Sequence, residues 1–180
     1  MTNNLTNILF TLKSYCLLNF HKKKYREKKY LSFDEIKSIV FVYYIDDYSK
    51  YDTVYQNIKD FTAQGKTVFS ILFVKNGVPF EEKRINMRLF SQKDCSWLSV
   101  PNNDVMTDLL ELSADVLIDL SLTDILPIQY AIANSPIPCK VGRVKDHTYL
   151  YDLMLEMKDD ELTETELLKT ITYYLTHIQS

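Results

Sequence analysis

The sequence predicts an α/β fold, and three features of the chain indicate it. Two nearly uninterrupted apolar runs, residues 39–45 and 67–74, are rich in β-branched and aromatic residues, which is typical of strands covered on both faces. Segments with apolar residues at helical spacing alternate with such runs. With 180 residues, of which 46% are hydrophobic and 25% charged, the chain has the size and composition of one globular domain. We therefore predict a three-layer, Rossmann-like architecture with a mostly parallel sheet of about five strands and helices on both faces.

The first predicted element is a helix over residues 3–30, a stretch that contains neither Gly nor Pro. Its first half carries apolar residues such as Leu5, Leu9 and Cys16 at helical spacing, and its second half is strongly basic. The predicted organisation is thus an amphipathic and basic N-terminal helix over residues 1–33, followed by a single α/β domain over residues 34–180.

The remaining elements follow from apolar periodicity and from capping residues. Asp46 and Asp47 end the first strand, and Gly65 ends the following helix. Asn102 or Asn103 can cap a later helix, and Pro127 suits the first turn of another. After the second strand, we predict a strand over 84–90, a loop over 91–101 anchored by Trp97 and a helix to about 112. A strand over 116–120, a helix from 127 and a strand over 139–141 follow. The last predicted elements are a strand within 149–157 and a helix opened by the capping box at 163–166.

Polar residues follow the predicted strands, where ligands bind in open parallel sheets. The candidate ligand-binding residues are Asp46, Asp47, Ser121, Thr123, Asp124 and Arg143. The segment 121–124 could present backbone N–H groups to an anion at a helix N-terminus, and Arg143 could contact a phosphate or carboxylate. The alternative is an ordinary helix cap beside a surface arginine. Asp119, within an apolar strand, is expected to be half exposed or to form a structural pair with Arg143.

The charge of the chain is distributed unevenly. Residues 1–30 contain seven Lys or Arg and one Glu, a sum of +6, so the remainder sums to −9 for the net charge of −3. Such a segment favours a protein, nucleic acid or anionic membrane surface as partner through residues 21–30. The candidate partner-binding residues are Lys22, Lys23, Lys24, Arg26, Lys28 and Lys29. The alternative is that the segment docks on the body of the protein itself, for example on the acidic run 156–166.

Several classes of protein are disfavoured. The chain has no glycine-rich dinucleotide fingerprint, no P-loop and no recognisable nucleophile motif, so we predict no bound cofactor. The three cysteines lack metal-ligand spacing, and the adjacent carboxylates Asp46 and Asp47 have no evident partner ligands, so no metal site is predicted. No apolar run is long enough to span a membrane, and the N-terminus lacks a signal-peptide pattern. These features favour a cytoplasmic protein.

An ordered set of short motifs resembles a family of small uncharacterised proteins, a domain of unknown function found in Bacteroidetes. The motifs are residues 37–40, 65–68, 92–97, 115–121, 140–143 and 151–154, and the likeness would span about residues 22–178. This resemblance implies no catalytic or binding residue. A weaker likeness is to the N-terminal half of heptosyltransferase-type glycosyltransferases, which implies Rossmann-like layers, although this chain is too short for their second, nucleotide-binding half.

The leading hypothesis is a non-enzymatic domain that associates with an anionic or protein partner through the basic helix. The rival hypothesis is a domain that binds a small ligand, such as a sugar phosphate or nucleotide, or acts as a transferase, at the carboxyl-terminal rim of the sheet.

Overall fold

The centre of the protein is a six-stranded sheet in which every neighbouring pair of strands is parallel. A computed structural model describes residues 26–80, 86–146, 148–158 and 162–177. The strand order is β3-β2-β1-β4-β5-β6. The strands are β1 (Ser38–Ile45), β2 (Thr67–Val74), β3 (Met87–Ser91), β4 (Val116–Asp119), β5 (Cys139–Arg143) and β6 (Leu153–Leu155). The α/β prediction is confirmed, with one strand more than expected.

The strand order reverses direction at β1, which pairs with β2 on one side and with β4 on the other. This order is that of doubly wound α/β sheets, in which a crevice lies beyond the carboxyl ends of the strands at the reversal. Because all strands are parallel, the residues that follow them lie along one edge of the sheet, hereafter called the carboxyl edge.

Helices cover both faces of the sheet. The helices are α1 (Lys50–Ala63), α2 (Asn103–Leu110), α3 (Leu126–Asn134) and α4 (Glu164–His177). Apolar residues of α1 and α4, such as Val54 and Ile171, pack in one core with Phe41 of β1. Those of α2 and α3, such as Val105 and Ile132, pack in a second core. Alternate residues of each strand enter these two cores, which explains the continuous apolar runs.

The caps of these helices agree with the sequence pattern. The Asn102 side chain accepts a hydrogen bond of 3.0 Å from the Val105 N–H at the start of α2. Thr163 Oγ1 accepts one of 3.1 Å from the Glu166 N–H at the start of α4. Gly65, after α1, has a φ of +80°, a conformation that favours glycine. The backbone at these ends is thus set by residues that the sequence identified.

The N-terminal prediction is wrong over the residues that can be compared. Residues 26–33 are not helical, and the rest of the proposed helix lies outside the described residues. The Lys29 N–H donates to the Pro138 carbonyl and the Phe33 N–H to the Leu175 carbonyl, so this segment is held by other parts of the chain. The N–H groups of Lys29 and Phe33, which would bond to carbonyls four residues earlier in a helix, bond to distant parts of the chain instead.

Two smaller expectations also need correction. Strand β3 begins at Met87, later than expected, and residues 81–85 are outside the described part of the chain. Trp97 is 79% exposed, so it is not a buried anchor of its loop. That loop is instead closed by a bridge between Cys95 and Pro101. In the described portion, none of the helices is long and apolar enough to cross a membrane.

Candidate functional site

Asp119, at the end of β4, is the centre of a buried polar cluster. Its Oδ1 accepts hydrogen bonds from the Ser121 N–H at 2.9 Å and the Ser121 hydroxyl at 2.6 Å. Its Oδ2 accepts from Lys145 Nζ and from the Tyr151 hydroxyl, both at 2.6 Å. The side chain of Asp119 is fully buried and that of Lys145 is 3% exposed. This set, Asp119, Ser121, Lys145 and Tyr151, is hereafter the Asp119 cluster.

The expected pair between Asp119 and Arg143 is wrong, and the strand register explains why. Ile118 lies opposite Val141 in the parallel β4–β5 pair, so Asp119 is level with Gly142. Side chains alternate along a strand, which places Arg143 on the other face of the sheet. Arg143 instead donates through its guanidinium to the Leu122 carbonyl at 2.8 Å.

Gly142 leaves space for one member of the Asp119 cluster. A Cβ atom at position 142 would lie 2.8 Å from Cε1 and 3.1 Å from Cδ1 of Tyr151, and 3.4 Å from Cβ of Asp119. The Tyr151 ring therefore covers the Gly142 backbone and carries its hydroxyl to the carboxylate. The glycine in the 140–143 motif is required for packing.

The arrangement does not favour nucleophilic catalysis by Ser121. Its hydroxyl donates to Asp119 and accepts from Lys145 Nζ at 2.8 Å, so the neighbouring amine acts as a hydrogen-bond donor. Ser121 is also only 1% exposed. Burial raises the pKa of both Cys95 and Cys139 to about 11, which keeps these thiols protonated at neutral pH. The cluster has the geometry of a fully hydrogen-bonded structural ion pair.

The two carboxylates after β1 are bound locally. Asp47 Oδ1 accepts hydrogen bonds from the side chain and the N–H of Ser49, and these bonds lower the pKa of Asp47. Asp46 lies 2.7 Å from Lys50 Nζ, which also contacts Glu164 at 2.6 Å. Asp46 thus belongs to a bridge that joins the end of β1 to the starts of α1 and α4.

The predicted anion site before α3 has different geometry from that expected. Helix α3 has Ile125 as its N-cap, with no hydrogen bond from that side chain. Asp124 accepts a hydrogen bond from the Gln129 amide, and Thr123 is exposed. Ser121 is buried in the Asp119 cluster, so it is not available to a ligand at the surface. Segment 121–124 therefore does not cap the helix in the way that the sequence indicated.

The described part of the basic segment, residues 26–30, contacts the body of the protein through ion pairs. Arg26 forms an ion pair with Asp152, and Lys28 Nζ lies 3.0 Å from the other oxygen of the same carboxylate. The Asp152 side chain is fully buried. Burial opposes ionisation of Asp152, but hydrogen bonds from Arg26 and Lys28 outweigh it and lower the pKa. Lys29 is exposed, and Lys22, Lys23 and Lys24 lie outside the described residues.

An open cleft of about 370 Å³ lies at the carboxyl edge, beyond β2 and β3. Two loops form it: the turn after β2 and the 3₁₀ turn Gln92–Asp94 after β3. The lining residues are Lys75, Asn76, Gly77, Val78, Phe80, Ser91, Lys93 and Asp94. We call this feature the β2–β3 cleft.

The charge in the β2–β3 cleft is mainly positive. Lys75 and Lys93 are both exposed, and no ion pair joins either of them to another described residue. The carboxylate of Asp94 accepts hydrogen bonds from the Ser91 N–H at 2.8 Å and the Ser91 hydroxyl at 3.2 Å. The acid is therefore engaged in a capping box, whereas the lysines are available to an anion.

The sequence indicated only part of this cleft. Lys75 and Asn76 were recognisable as polar residues at a strand end, but nothing local marked Phe80 or Lys93. Their position depends on the pairing of β2 with β3, which brings the two loops together. The sequence did not indicate Lys145 and Tyr151 as partners of Asp119 for a similar reason. They lie 26 and 32 positions from Asp119 in the sequence, and only the fold brings them to it.

Comparison with known proteins gives a family but no activity. A family of unknown function (DUF6913) matches residues 10–178. No curated protein matches the chain, and no solved structure does.

Proposed function

The chain belongs to this family of unknown function, and we propose that it is a non-enzymatic domain that binds a small anionic ligand in the β2–β3 cleft. One observation carries the proposal: two lysines line an open cleft in which the neighbouring acid is already hydrogen-bonded within the protein. A cleft of about 370 Å³ is in the range of small-molecule sites, about 300–1,000 Å³. The cleft lies at the carboxyl edge, on the side where doubly wound sheets bind ligands, although it lies beyond β2 and β3 and not at the strand reversal.

The supports of both lysines are rigid, which favours binding. The Lys75 N–H donates to the Ile45 carbonyl at 2.8 Å, and the Val78 N–H closes the turn on the Lys75 carbonyl at 3.1 Å. Gly77 supplies the positive φ of +91° that this turn needs. The backbone of Lys93 is fixed because its N–H donates to Ser91 Oγ. Little ordering of the backbone would therefore oppose ligand binding.

The basic segment provides weaker support for the partner-binding hypothesis. Arg26 and Lys28, two of its three described cations, neutralise Asp152 within the protein. The contacts of this segment favour the alternative of docking on the body, with Asp152 as the acidic partner and not the run 156–166. Our proposal for function therefore rests on the β2–β3 cleft.

Calorimetric titration with inorganic phosphate, pyrophosphate and ribose 5-phosphate tests the proposal. At least one of these anions should bind, and Lys75→Gln/Lys93→Gln should weaken that binding by about tenfold or more. The matched control is Lys59→Gln/Lys169→Gln, which removes the same charge from α1 and α4 and should leave binding unchanged. Binding that falls equally in both double variants, or none to the wild-type protein, would contradict a specific anion site in this cleft.

A further inference from the structure

We infer that the ligand of the β2–β3 cleft carries a flat ring as well as its anionic group, and that it is a nucleoside monophosphate; this rests on the proposed function. The wall of the cleft contains Phe80, which is 51% exposed although phenylalanine is among the residues most often buried. Val78, half buried, also lines the cleft and packs against the core. The cleft thus combines an apolar portion with the two lysines.

The aromatic wall is held in place by the core. Tyr51 of α1, which is 1% exposed, donates through its hydroxyl to the Pro79 carbonyl at 3.3 Å. This bond fixes the backbone immediately before Phe80. An exposed ring on a tethered backbone is suited to stacking, because little freedom of the chain is lost when a ligand ring covers it.

The polar groups match the rest of a mononucleotide. Lys75 and Lys93 offer two cations to a phosphate, as lysines do in other phosphate sites. The amide side chain of Asn76 makes no hydrogen bond to another described residue and could pair with the edge of a base. With a volume near the lower end of small-molecule sites, the cleft fits one nucleotide better than a dinucleotide.

The test compares ligands that differ only in the ring. Adenosine, guanosine, cytidine and uridine monophosphates and ribose 5-phosphate are titrated against the wild-type protein by calorimetry. At least one nucleotide should bind about tenfold or more tightly than ribose 5-phosphate, because stacking of one base on an aromatic residue is worth about that factor. Phe80→Ala should abolish this difference, and Phe80→Trp should retain it. Since Phe80 is half exposed, both variants should fold, which circular dichroism checks.

The outcomes separate the two proposals. If ribose 5-phosphate and all four nucleotides bind equally, or if Phe80→Ala leaves the difference intact, the ring inference is overturned while the anion site stands. If neither the nucleotides nor ribose 5-phosphate binds while phosphate or pyrophosphate does, only the nucleotide inference is overturned. If none of these anions binds, both proposals are overturned.

Discussion

Asp119→Asn tests whether the Asp119 cluster is a structural ion pair. The substitution keeps the shape of the side chain but removes the charge that faces Lys145 Nζ at 2.6 Å. It also places an amide, with its two donors, among the four donors that Ser121, Lys145 and Tyr151 direct at this position. Breaking a buried pair by removing one partner costs about 3–5 kcal/mol, because the other charge remains buried and uncompensated. That is a large part of the 5–15 kcal/mol typical of a domain.

Urea denaturation followed by far-UV circular dichroism measures this loss. With a slope of about 2 kcal/mol per molar urea, the midpoint should fall by about 2 M, with the slope unchanged. The loss of stability should come from the buried charge of Lys145 that is left unpaired. Asp119→Asn/Lys145→Met should therefore be more stable than Asp119→Asn alone. Glu166→Gln is the control for an exposed pair, since Glu166 and Lys169 are 49% and 68% exposed; it should cost less than about 1 kcal/mol. A loss below about 1 kcal/mol for Asp119→Asn, or a double variant no more stable than the single, would refute this account of the cluster.

Three further predictions concern neighbouring contacts. Gly142→Ala should lower stability by about 1–3 kcal/mol in thermal unfolding, because its Cβ would lie 2.8 Å from the Tyr151 ring; a loss no larger than that of an exposed helix substitution would contradict this. The pKa of Lys140 is lowered to about 7 from its ordinary value of 10.5, mainly by burial and also by the nearby charge of Arg26. The charge of Asp152 acts in the opposite direction. Between about pH 7 and pH 10.5 the unfolded chain therefore binds more protons at this group, so stability should rise with pH over that window. Lys140→Met should show a smaller rise in urea titrations. Asp152→Asn should speed amide exchange at residues 26–30, and equal protection in both proteins would show that the carboxylate does not hold this segment.

The layers of the fold were predictable because they depend on local patterns. Residues 39–45 and 67–74 are almost entirely apolar, and such runs need cover on both faces of a sheet. Asn102 and Thr163 marked helix starts through short-range hydrogen bonds that the sequence alone specifies. The order of the strands required the structure, since the adjacency of β1 and β4 leaves no local trace.

The sites were less predictable because their residues meet through strand pairing. Alternation along β4 and β5 separates Asp119 from Arg143, although both residues lie at the carboxyl ends of predicted strands. The true partner, Lys145, follows β5 by two positions and returns to the buried carboxylate. Likewise Arg26 is 126 positions from Asp152, so its ion pair could not be distinguished from a cation available to a partner.

The distribution of polar contacts explains why the candidate site lies beyond β2 and β3 rather than at the strand reversal. At the end of β4, the carboxylate of Asp119 is buried and Leu120 has no exposed surface. At the end of β1, Asp46 is bridged through Lys50 to Glu164. These carboxylates at the reversal are therefore already hydrogen-bonded or paired within the protein, and a ligand there would have to displace those contacts. One strand further along the same edge, lysines stand on rigid turns without such partners among the described residues, so an anion can bind there without breaking the fold.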